Sequence, residues 1–240
     1  MKFLLIGQGK MGKLIASTAE AAGDEIVGAY HRENLSELSG AGRIADAVID
    51  FSRPETLPAV EEYIRRTGTP LISGTTGYTD EEMRRLLALG DCAPVLWAAN
   101  YSIGVAVFYR LLTQISDTLK PDFDIEMTET HHNQKADAPS GTARLLLSAI
   151  DPKGEYTPVY GREGNCGRRT RKEIGVFALR GGTVAGTHTV HFFGTDEELE
   201  ITHRASSRQI FVNGALTMAR RVAGMPNGVY DLQKILFGED

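Results

Sequence analysis

A short apolar run followed at once by three spaced glycines constrains the fold of this chain more than any other stretch. Residues 3–6 are apolar without interruption, which is typical of a strand buried on both faces of a parallel sheet. A helical pattern that ends at Gly23 follows the glycines. This order favours a dinucleotide-binding loop over an ordinary turn, because glycine permits a tight turn and close approach of a pyrophosphate. The candidate loop residues are Gly7, Gln8, Gly9, Lys10, Met11 and Gly12.

Strand and helix patterns alternate through the rest of the first hundred residues. Small or polar residues follow two of the strands, at Gly74-Thr75-Thr76-Gly77 and at Ala99-Asn100-Tyr101-Ser102. Alternation with polar turns at the strand ends predicts an α/β fold with a Rossmann-like, doubly wound parallel sheet. Further strands are expected at residues 25–30, 47–51, 70–73 and 94–98, and helices after a cap at 52–55 and near 81–89.

The second half of the chain has a different pattern. A helix is predicted at residues 103–119, but no periodicity is found at 151–172, which is rich in glycine and arginine. That stretch is interpreted as a solvated loop, with a flap over an anionic ligand as the alternative. Strands without helices between them then predict an antiparallel or mixed sheet. These strands are expected near residues 174–178, 190–193 and 199–204, followed by a helix at 211–222 and an end segment at 230–237 that packs on the first domain.

One stretch, residues 126–143, carries most of the groups capable of chemistry. Its order predicts a strand at 124–128, a polar loop with His131 and His132, and a helix that starts after Pro139. The N–H groups at a helix start bind carboxylates or phosphates, and Lys135 adds a positive charge beside them. Histidine exchanges protons near neutral pH. The stretch is therefore interpreted as a proton-transfer site joined to an anion-binding site.

Simpler interpretations exist for each fragment. Paired histidines in a polar loop are often solvated surface, and Ser140-Gly141-Thr142 before an apolar run is often a helix cap alone. The ligand types available to a metal would be His131, His132 and Asp137. Adjacent histidines on a strand point to opposite faces, and no His-x-x-x-His helix or cysteine pair accompanies them. No metal is expected.

The overall composition bounds the class of function. The 240 residues carry a formal net charge of −5, which argues against a nucleic-acid-binding protein, since such proteins are usually basic. Cys92 and Cys166 provide neither a disulfide framework nor a metal-binding pair, which favours a reducing compartment. The N-terminus does not resemble a signal peptide, and no apolar run reaches membrane-spanning length. A cytoplasmic protein without nucleic-acid or membrane partners is expected.

Taken together, these motifs make the chain resemble the 4-hydroxy-tetrahydrodipicolinate reductase family, the dihydrodipicolinate reductases, over nearly its whole length. The most specific stretch, residues 129–143, is similar to the family signature. Residues 98–102 are similar to the family's turn beside the nicotinamide, with Tyr101 where phenylalanine is common. Residues 180–182 and 203–208 also match the family.

The resemblance implies an oxidoreductase of the diaminopimelate and lysine pathway that reduces a cyclic dicarboxylate with NADPH or NADH. It implies a dinucleotide-binding domain at residues 1–101 and 209–240, and a substrate-binding domain at 102–208 that also forms a homotetramer. By resemblance, His131 and Lys135 transfer and position the proton, and the immediate donor stays open. Substrate carboxylates would be held by His132, Ser140, Gly141, Thr142 and Arg208. The cofactor residues beyond the glycine loop would include Phe51, Gly74, Thr75, Thr76, Ala98, Ala99, Asn100 and Tyr101.

The choice between the two cofactors depends on the end of the second predicted strand. An NAD-selective enzyme usually carries Asp or Glu there to bind the ribose hydroxyls, but here Arg32 follows His31. A guanidinium suits a 2′-phosphate. Glu33, one residue later, would favour NADH if the register shifted by one. NADPH is therefore predicted as the better cofactor, with NADH still accepted.

Two other functions remain as alternatives. One is a dehydrogenase of the same fold that acts on another anionic imine or aldehyde, and the other is a dinucleotide sensor without catalysis. A sensor would not need a proton donor and an anion-binding site together in one loop. Oxidation of the cofactor in the presence of fresh substrate separates the three functions.

Overall fold

The computed structural model describes residues 1–238, which form two compact units. The first unit combines residues 1–103 with the chain from Gln209 onward, and the second contains residues 104–208. The family resemblance implies boundaries after residues 101 and 208. None of the helices in the described part of the chain has the length and apolar character that a membrane span requires.

The first unit contains a six-stranded sheet in which every pairing is parallel. Its strands are β1 (Lys2–Ile6), β2 (Glu25–Tyr30), β3 (Ala47–Asp50), β4 (Leu71–Ser73), β5 (Pro94–Trp97) and β11 (Gly228–Tyr230), with labels in chain order. In the strand order β11-β5-β4-β3-β1-β2, β2 lies on one side of β1, and the later strands follow in chain order on the other side. The predicted Rossmann-like, doubly wound class is confirmed.

The strand bounds agree with the sequence more closely at the start of the chain than at its end. The predicted bounds of β1 to β5 lie within one residue of the observed ones. β11 has no strand signal in the sequence, because its residues Gly-Val-Tyr form no buried apolar run like that of β4, which has the same length. Its parallel pairing with β5 defines it.

Local sequence signals set the ends of the helices in this unit. α1 (Lys10–Ala21) begins in the glycine loop, and α2 (Leu57–Thr67) ends at Gly68, whose φ of 63° is left-handed. α3 (Asp80–Leu87) starts with a reciprocal capping box between Thr79 and Glu82. The remaining helical segments of the unit are α6 (Gln209–Val222), α7 (Leu232–Phe237) and the 3₁₀ turns Leu35–Gly40, Pro54–Thr56 and Ala88–Asp91.

The cap predicted for α2 at residues 52–55 is wrong in detail. Pro54–Thr56 forms a separate 3₁₀ turn, and α2 begins at Leu57. The hydroxyl of Ser52 instead donates a hydrogen bond to the buried carboxylate of Asp50. A carboxylate is a stronger hydrogen-bond acceptor than a neutral oxygen, so the Ser52 hydroxyl binds Asp50 and does not cap α2 as the sequence predicts.

The core of the first unit lies around β3 and β4. Every residue of both strands is buried, as expected for the central strands of a parallel sheet. α6 approaches the turn after β5 so closely that a Cβ on Gly214 would lie 1.7 Å from the carbonyl oxygen of Tyr101. Glycine is therefore required at this point of α6.

The second unit contains a five-stranded mixed sheet, which confirms that part of the predicted fold class. Its strands are β6 (Asp124–His131), β7 (Thr157–Val159), β8 (Glu173–Arg180), β9 (Gly186–Phe193) and β10 (Glu198–Ala205), and its helices are α4 (Ile103–Leu119) and α5 (Gly141–Ile150). The strand order is β10-β9-β6-β8-β7, with β6 parallel to β8 and antiparallel to β9. Apolar residues of α4, α5 and the sheet form its core.

β6 continues further than the sequence predicts. The prediction ends the strand at residue 128 and places His131 in the polar loop, but the strand extends to His131. Residues 125, 127, 129 and 131 are all buried and alternate with more exposed neighbours. Glu129 and His131 therefore lie on the core-facing side of β6, where the pairing with β8 holds them. The last residues of β6 are polar and do not predict a strand, but pairing with the neighbouring strands stabilises one there.

The stretch at residues 151–172, interpreted from the sequence as a solvated loop, is mostly exposed, but that interpretation is wrong at residues 157–159, which form β7 and pair with β8. Arg162 forms ion pairs with Glu126 at 2.8 Å and with Glu173 at 2.7 Å, and Arg169 lies 3.0 Å from Glu126. The hydrogen bond from Arg162 lowers the pKa of Glu173 to about 2. These contacts account for part of the arginine content of the loop without an anionic ligand.

We expect Gly214→Ala to destabilise the first unit by about 1–3 kcal/mol, because the added methyl group overpacks the contact with Tyr101. Gly224→Ala is the matched control, since a Cβ there would meet no atom within 4 Å. The chain's one tryptophan, Trp97, lies in this unit and reports its unfolding in urea. Equal unfolding midpoints for the two variants would contradict the close approach of α6.

Candidate active site

Packing within the protein requires two of the three glycines in the glycine loop. Gly7 has a φ of 97°, and a Cβ there would lie 2.4 Å from the carbonyl oxygen of Phe51. A Cβ on Gly12 would lie 1.9 Å from the carbonyl oxygen of Gly7. Gly9, in contrast, is exposed, and a Cβ there would meet no atom within 4 Å. The space beside Gly9 is therefore open to a ligand.

The start of α1 adds an electrostatic reason for anion binding at this opening. Gly9 precedes α1, and no side chain caps that helix start. The first N–H groups of a helix lack partners within the helix and carry partial positive charge. Gln8 and Lys10 are exposed beside them, and Met11 is half-buried. An uncapped helix start next to an open glycine fits the pyrophosphate of a pyridine dinucleotide.

The glycine loop is tied to the end of β2. The N–H of Gly7 donates to the carbonyl oxygen of Tyr30 at 2.8 Å. The side-chain amide of Gln8 donates to the carbonyl oxygen of Ala29 at 2.9 Å. These bonds bring the residues that follow β2 to the same edge of the sheet as the open helix start.

Two charged residues follow β2 and differ in their surroundings. The carboxylate of Glu33 lies 3.7 Å from Nε2 of His31. Arg32 is exposed, and within residues 1–238 no acidic side chain forms an ion pair with it. Its guanidinium is therefore available to a ligand at this edge of the sheet.

The carboxylate of Asp50 organises the turns that follow β3 and β4. It is 1% exposed and accepts hydrogen bonds from the hydroxyl groups of Ser73 at 2.9 Å, Thr75 at 3.0 Å and Tyr78 at 3.4 Å, as well as from Ser52. Burial raises the pKa of Asp50, because these donors offset only part of the desolvation of its charge. The network fixes the backbone of both turns.

The other predicted cofactor residues lie at the ends of β3, β4 and β5. The ring of Phe51 lies so close to Gly74 that a Cβ on Gly74 would be 2.3 Å from it, and it packs 5.4 Å from the ring of Tyr101. Tyr101 is buried, and its hydroxyl donates to the carbonyl oxygen of Ser73 at 2.9 Å. Tyr101 therefore supports the turns from inside the unit. The exposed or half-buried members of this group are Phe51, Gly74, Thr76, Ala98, Ala99 and Asn100, whereas Thr75 is buried.

In the second unit, Glu129 connects three chain segments. Its Oε2 forms a hydrogen bond with Nδ1 of His131, two residues along β6. Arg180, which is opposite His131 in the register of β8, donates to both carboxylate oxygens, at 2.9 and 3.1 Å. The N–H of Ser140 donates to the same carboxylate at 3.1 Å. Glu129 thus joins the ends of two strands to the start of α5.

These contacts determine the protonation of Glu129 and His131. Burial alone would raise the pKa of Glu129, but hydrogen bonds from Arg180 and His131 outweigh it and lower the pKa. Burial lowers the pKa of His131, and the attraction of Glu129 offsets only part of that effect. Positive charge on Lys135 and Arg180 lowers it further. At neutral pH the pair therefore consists of an ionised carboxylate and a neutral imidazole.

Ser140 caps α5, as the sequence predicts. Its Oγ accepts from the N–H of Ala143 at 3.1 Å and lies 3.0 Å from Nε2 of His188 on β9. The His188 ring meets the His131 ring edge-on, with centroids 5.1 Å apart. Burial, with a contribution from His131, lowers the pKa of His188 to about 4, so His188 is neutral. Ser140 is 2% exposed, so its side chain lies inside the protein and supports the start of α5.

The other predicted residues of this unit differ in exposure. Nζ of Lys135 lies 2.8 Å from Oδ1 of Asp137. Gly141 is exposed, and a Cβ there would meet no atom within 4 Å. Arg208 is exposed at the last position of the unit, and in the described part of the chain no hydrogen bond or ion pair joins it to Glu129 or His131. The half-buried members are His132, Lys135 and Thr142.

Among residues 1–238, one buried group of side chains has the ligand types that a metal needs, and it differs from the set His131, His132 and Asp137 considered from the sequence. Ligand atoms of Glu129, His131 and His188 lie within 4.8 Å of one another. Arg180 already binds both oxygens of Glu129, and a cation there would face its positive charge. The arrangement suits an ion pair better than a metal ion.

Comparison with known proteins assigns both units to one family. A family profile described as "Dihydrodipicolinate reductase, N-terminus" matches residues 1–101, and one described as "Dihydrodipicolinate reductase, C-terminus" matches residues 104–236. The chain belongs to the dihydrodipicolinate reductase family. This membership confirms the resemblance seen in the sequence, and with it the prediction of an oxidoreductase that uses a pyridine nucleotide and a small-molecule substrate.

Individual relatives agree over the full length. The 4-hydroxy-tetrahydrodipicolinate reductase of Staphylococcus saprophyticus is 42% identical, over 98% of this chain and 100% of its own. That of an Exiguobacterium species is 39% identical, over 98% and 95%. A dipicolinate-bound dihydrodipicolinate reductase from Paenisporosarcina sp. TG-14 has a TM-score of 0.81 at 21% identity, over 98% of this chain and 99% of that one. This last likeness shows the fold alone.

The contacts of Glu129, Arg180 and His188 were missed by sequence reasoning, which treated the histidines as part of a loop. A signal for Glu129 exists, because residues two apart on a strand share a face. Arg180 is 51 positions from Glu129, and His188 is 48 positions from Ser140. Their contacts follow from the pairing of β6 with β8 and β9, which no local pattern indicates.

We expect Gly9→Ala to weaken NADPH binding at least roughly tenfold, a loss of about 1.4 kcal/mol, because its methyl group enters the opening at the start of α1. The melting temperature should stay the same, since the methyl group meets no protein atom within 4 Å. Gly40→Ala is a matched control at another exposed glycine with open surroundings. Titration calorimetry gives the affinity, and unchanged binding would rule out a pyrophosphate beside Gly9.

Proposed function

We propose that this protein reduces 4-hydroxy-tetrahydrodipicolinate to tetrahydrodipicolinate with a reduced nicotinamide nucleotide, a reaction in which the ring gains a hydride and a proton and the 4-hydroxyl group leaves as water. The observation that carries the proposal is the presence in one unit of His131, Lys135 and the helix start at Gly141. A dicarboxylate needs an anion-binding site, and reduction of its ring needs a proton as well as a hydride. Relatives at 42% and 39% identity are named for this reaction.

The start of α5 is assigned to a substrate carboxylate. The first turn is held in place because Ser140 binds both Ala143 and Glu129. Gly141 comes next, exposed and without a side chain, so a carboxylate can approach the backbone there. We assign His132 and Thr142 as further polar contacts, and Arg208 as a cation for the second carboxylate.

Lys135 is assigned as the immediate proton donor. His131 is neutral at neutral pH and its Nδ1 faces Glu129, which makes Nε2 a hydrogen-bond acceptor rather than a donor. Lys135 carries three N–H groups on an ammonium that Asp137 holds at 2.8 Å. A bound nucleotide supplies the hydride. Nζ of Lys135 then gives its proton to the substrate, while Nε2 of His131 accepts a hydrogen bond that orients the donor or the substrate.

The proposed cofactor preference is NADPH over NADH. Arg32 has a guanidinium available at the end of β2, whereas Glu33 lies beside His31. The one-residue register shift that would favour NADH is therefore not supported by the surroundings of Glu33. NADH shares the pyrophosphate and nicotinamide contacts, so it serves as the weaker cofactor.

A homotetramer remains a prediction. The sheet face of the second unit that carries Thr128 and Thr130 also carries Leu179 and Phe193, which are 51% and 40% exposed. Exposed apolar side chains on one face of a sheet suit contact between copies of the chain.

Replacing Lys135 or His131 by alanine should lower kcat by about two to four orders of magnitude, the usual range for general acid–base groups. NADPH affinity should stay within about twofold, because both residues belong to the second unit and the glycine loop to the first. Stopped-flow oxidation of NADPH with freshly prepared substrate measures the rate. Lys153→Ala, at an exposed lysine of the same unit, is the control.

Chemical rescue separates the two roles. Methylammonium should restore part of the activity of Lys135→Ala and none of that of His131→Ala. Rescue of both variants by methylammonium, or of neither, would refute the assignment of Lys135. Wild-type turnover in both alanine variants would exclude this stretch from the mechanism.

Arg32→Ala should raise KM for NADPH by roughly tenfold, which corresponds to one charge-assisted contact. KM for NADH should remain nearly unchanged, because NADH lacks the 2′-phosphate. Arg43→Ala is the control, since it removes another exposed arginine of the same unit. A wild-type enzyme with higher kcat/KM for NADH, or equal losses for both cofactors in Arg32→Ala, would contradict the preference.

A further inference from the structure

The carboxylate of Glu129 is fully buried. It accepts hydrogen bonds from Ser140 and His131 in addition to Arg180, whose charge balances its own. Oε1 accepts from the N–H of Ser140 at 3.1 Å and from Arg180 at 2.9 Å. Oε2 accepts from Arg180 at 3.1 Å and bonds to Nδ1 of His131. Arg180 alone would balance the charge. The other two contacts belong to the ring and the helix start that the proposed reaction uses.

We infer that Glu129 is a positioning residue that fixes His131 with its proton on Nδ1 and couples this ring to the carboxylate-binding start of α5. The inference rests on the proposed function and adds a residue that acts through His131 and Ser140. An ionised carboxylate only accepts hydrogen bonds, so Nδ1 of His131 must be the donor. In the neutral ring, Nε2 then carries the lone pair.

The groups that face His131 maintain this state around neutral pH. They are Glu129 on the same strand, Arg180 on β8, His188 on β9 and Lys135 in the following loop. Glu129 stays ionised, because the donors around it lower its pKa more than burial raises it. His188 stays neutral, with a pKa of about 4, and its Nε2 contacts Ser140 rather than Glu129.

The two edges of the His131 ring have different surroundings. Nδ1 meets the carboxylate of Glu129. On the other edge, a Cβ at Gly186 of β9 would lie 3.1 Å from Nε2, so any larger residue would crowd that nitrogen. Glycine at this position therefore avoids crowding of Nε2 by a side chain at residue 186. Nδ1 of His131 therefore positions the ring through Glu129, and Nε2 is left for the reaction.

Glu129→Gln tests the inference, because it removes the charge and nearly keeps the shape. We expect kcat to fall by roughly 10- to 100-fold, as for loss of a group that orients a functional histidine, with KM for NADPH unchanged. The acid limb of the kcat–pH profile should move to lower pH, because Glu129 raises the pKa of His131 and its removal lets that pKa fall. Glu129→Asp keeps the charge and should leave the limb near its wild-type position.

Glu126→Gln is the matched control. Glu126 lies on the same strand and, like Glu129, is paired with arginine, in its case Arg162 and Arg169, but it belongs to the opposite face of β6. Its loss disturbs comparable ion pairs without touching His131, so kcat should stay within about twofold of wild type and the pH profile should not move.

Nitrogen-15 NMR of the histidine rings tests the inference without using activity. At neutral pH the wild-type His131 should show a protonated Nδ1 and an unprotonated Nε2, and Glu129→Gln should show a mixture of both tautomers. A wild-type ring protonated on Nε2 overturns the inference, even if the variant fails to fold. Wild-type kcat and an unmoved acid limb in Glu129→Gln also overturn it. A wild-type protein without reductase activity would refute the proposed function instead, and the NMR result would still decide the role of Glu129.

Discussion

The second unit depends on the solvation of one buried charge. Removing a carboxylate from water costs several kcal/mol, and a counter-charge offsets this only when further hydrogen bonds complete its surroundings. Glu129 satisfies both conditions, with Arg180 on two sides and with Ser140 and His131 on the others. These donors come from the ends of β6 and β8 and from the start of α5. Loss of any donor would leave the charge poorly solvated, so the three segments hold one another in place.

The first unit places a buried carboxylate at a comparable point but balances it differently. Asp50 ends β3 and receives hydroxyl donors from Ser52, Ser73, Thr75 and Tyr78, without a cation among these partners. Burial raises the pKa of Asp50, whereas the donors around Glu129 lower the pKa of that group. Hydroxyl groups suffice to fix the backbone of these two turns. A group that must stay ionised to direct a histidine requires the arginine.

The sequence predicts the parts of the fold that rest on local patterns and misses those that rest on pairing. The glycine loop and strands β1 to β5 have apolar runs of their own, and Ser140 caps α5 as its position indicates. β7 and β11 contain three residues each and are strands only because a neighbour pairs with them. The same holds for the end of β6, where polar residues conceal the strand that carries His131. The cluster around Glu129 therefore appears only once β8 and β9 are in register.

The two ion pairs near the proposed chemistry differ in how readily they exchange partners. Arg180 and Glu129 form a pair in which the carboxylate is fully buried, so separating them would strand a charge inside the unit. Lys135 pairs with Asp137, whose side chain is 52% exposed, and such surface pairs contribute about 0–1 kcal/mol. The Lys135 ammonium can therefore exchange Asp137 for the proposed substrate at little cost, whereas Arg180 cannot leave Glu129. The buried pair keeps the ring and the helix start in place, and the exposed pair leaves Lys135 able to turn toward the group that it is proposed to protonate.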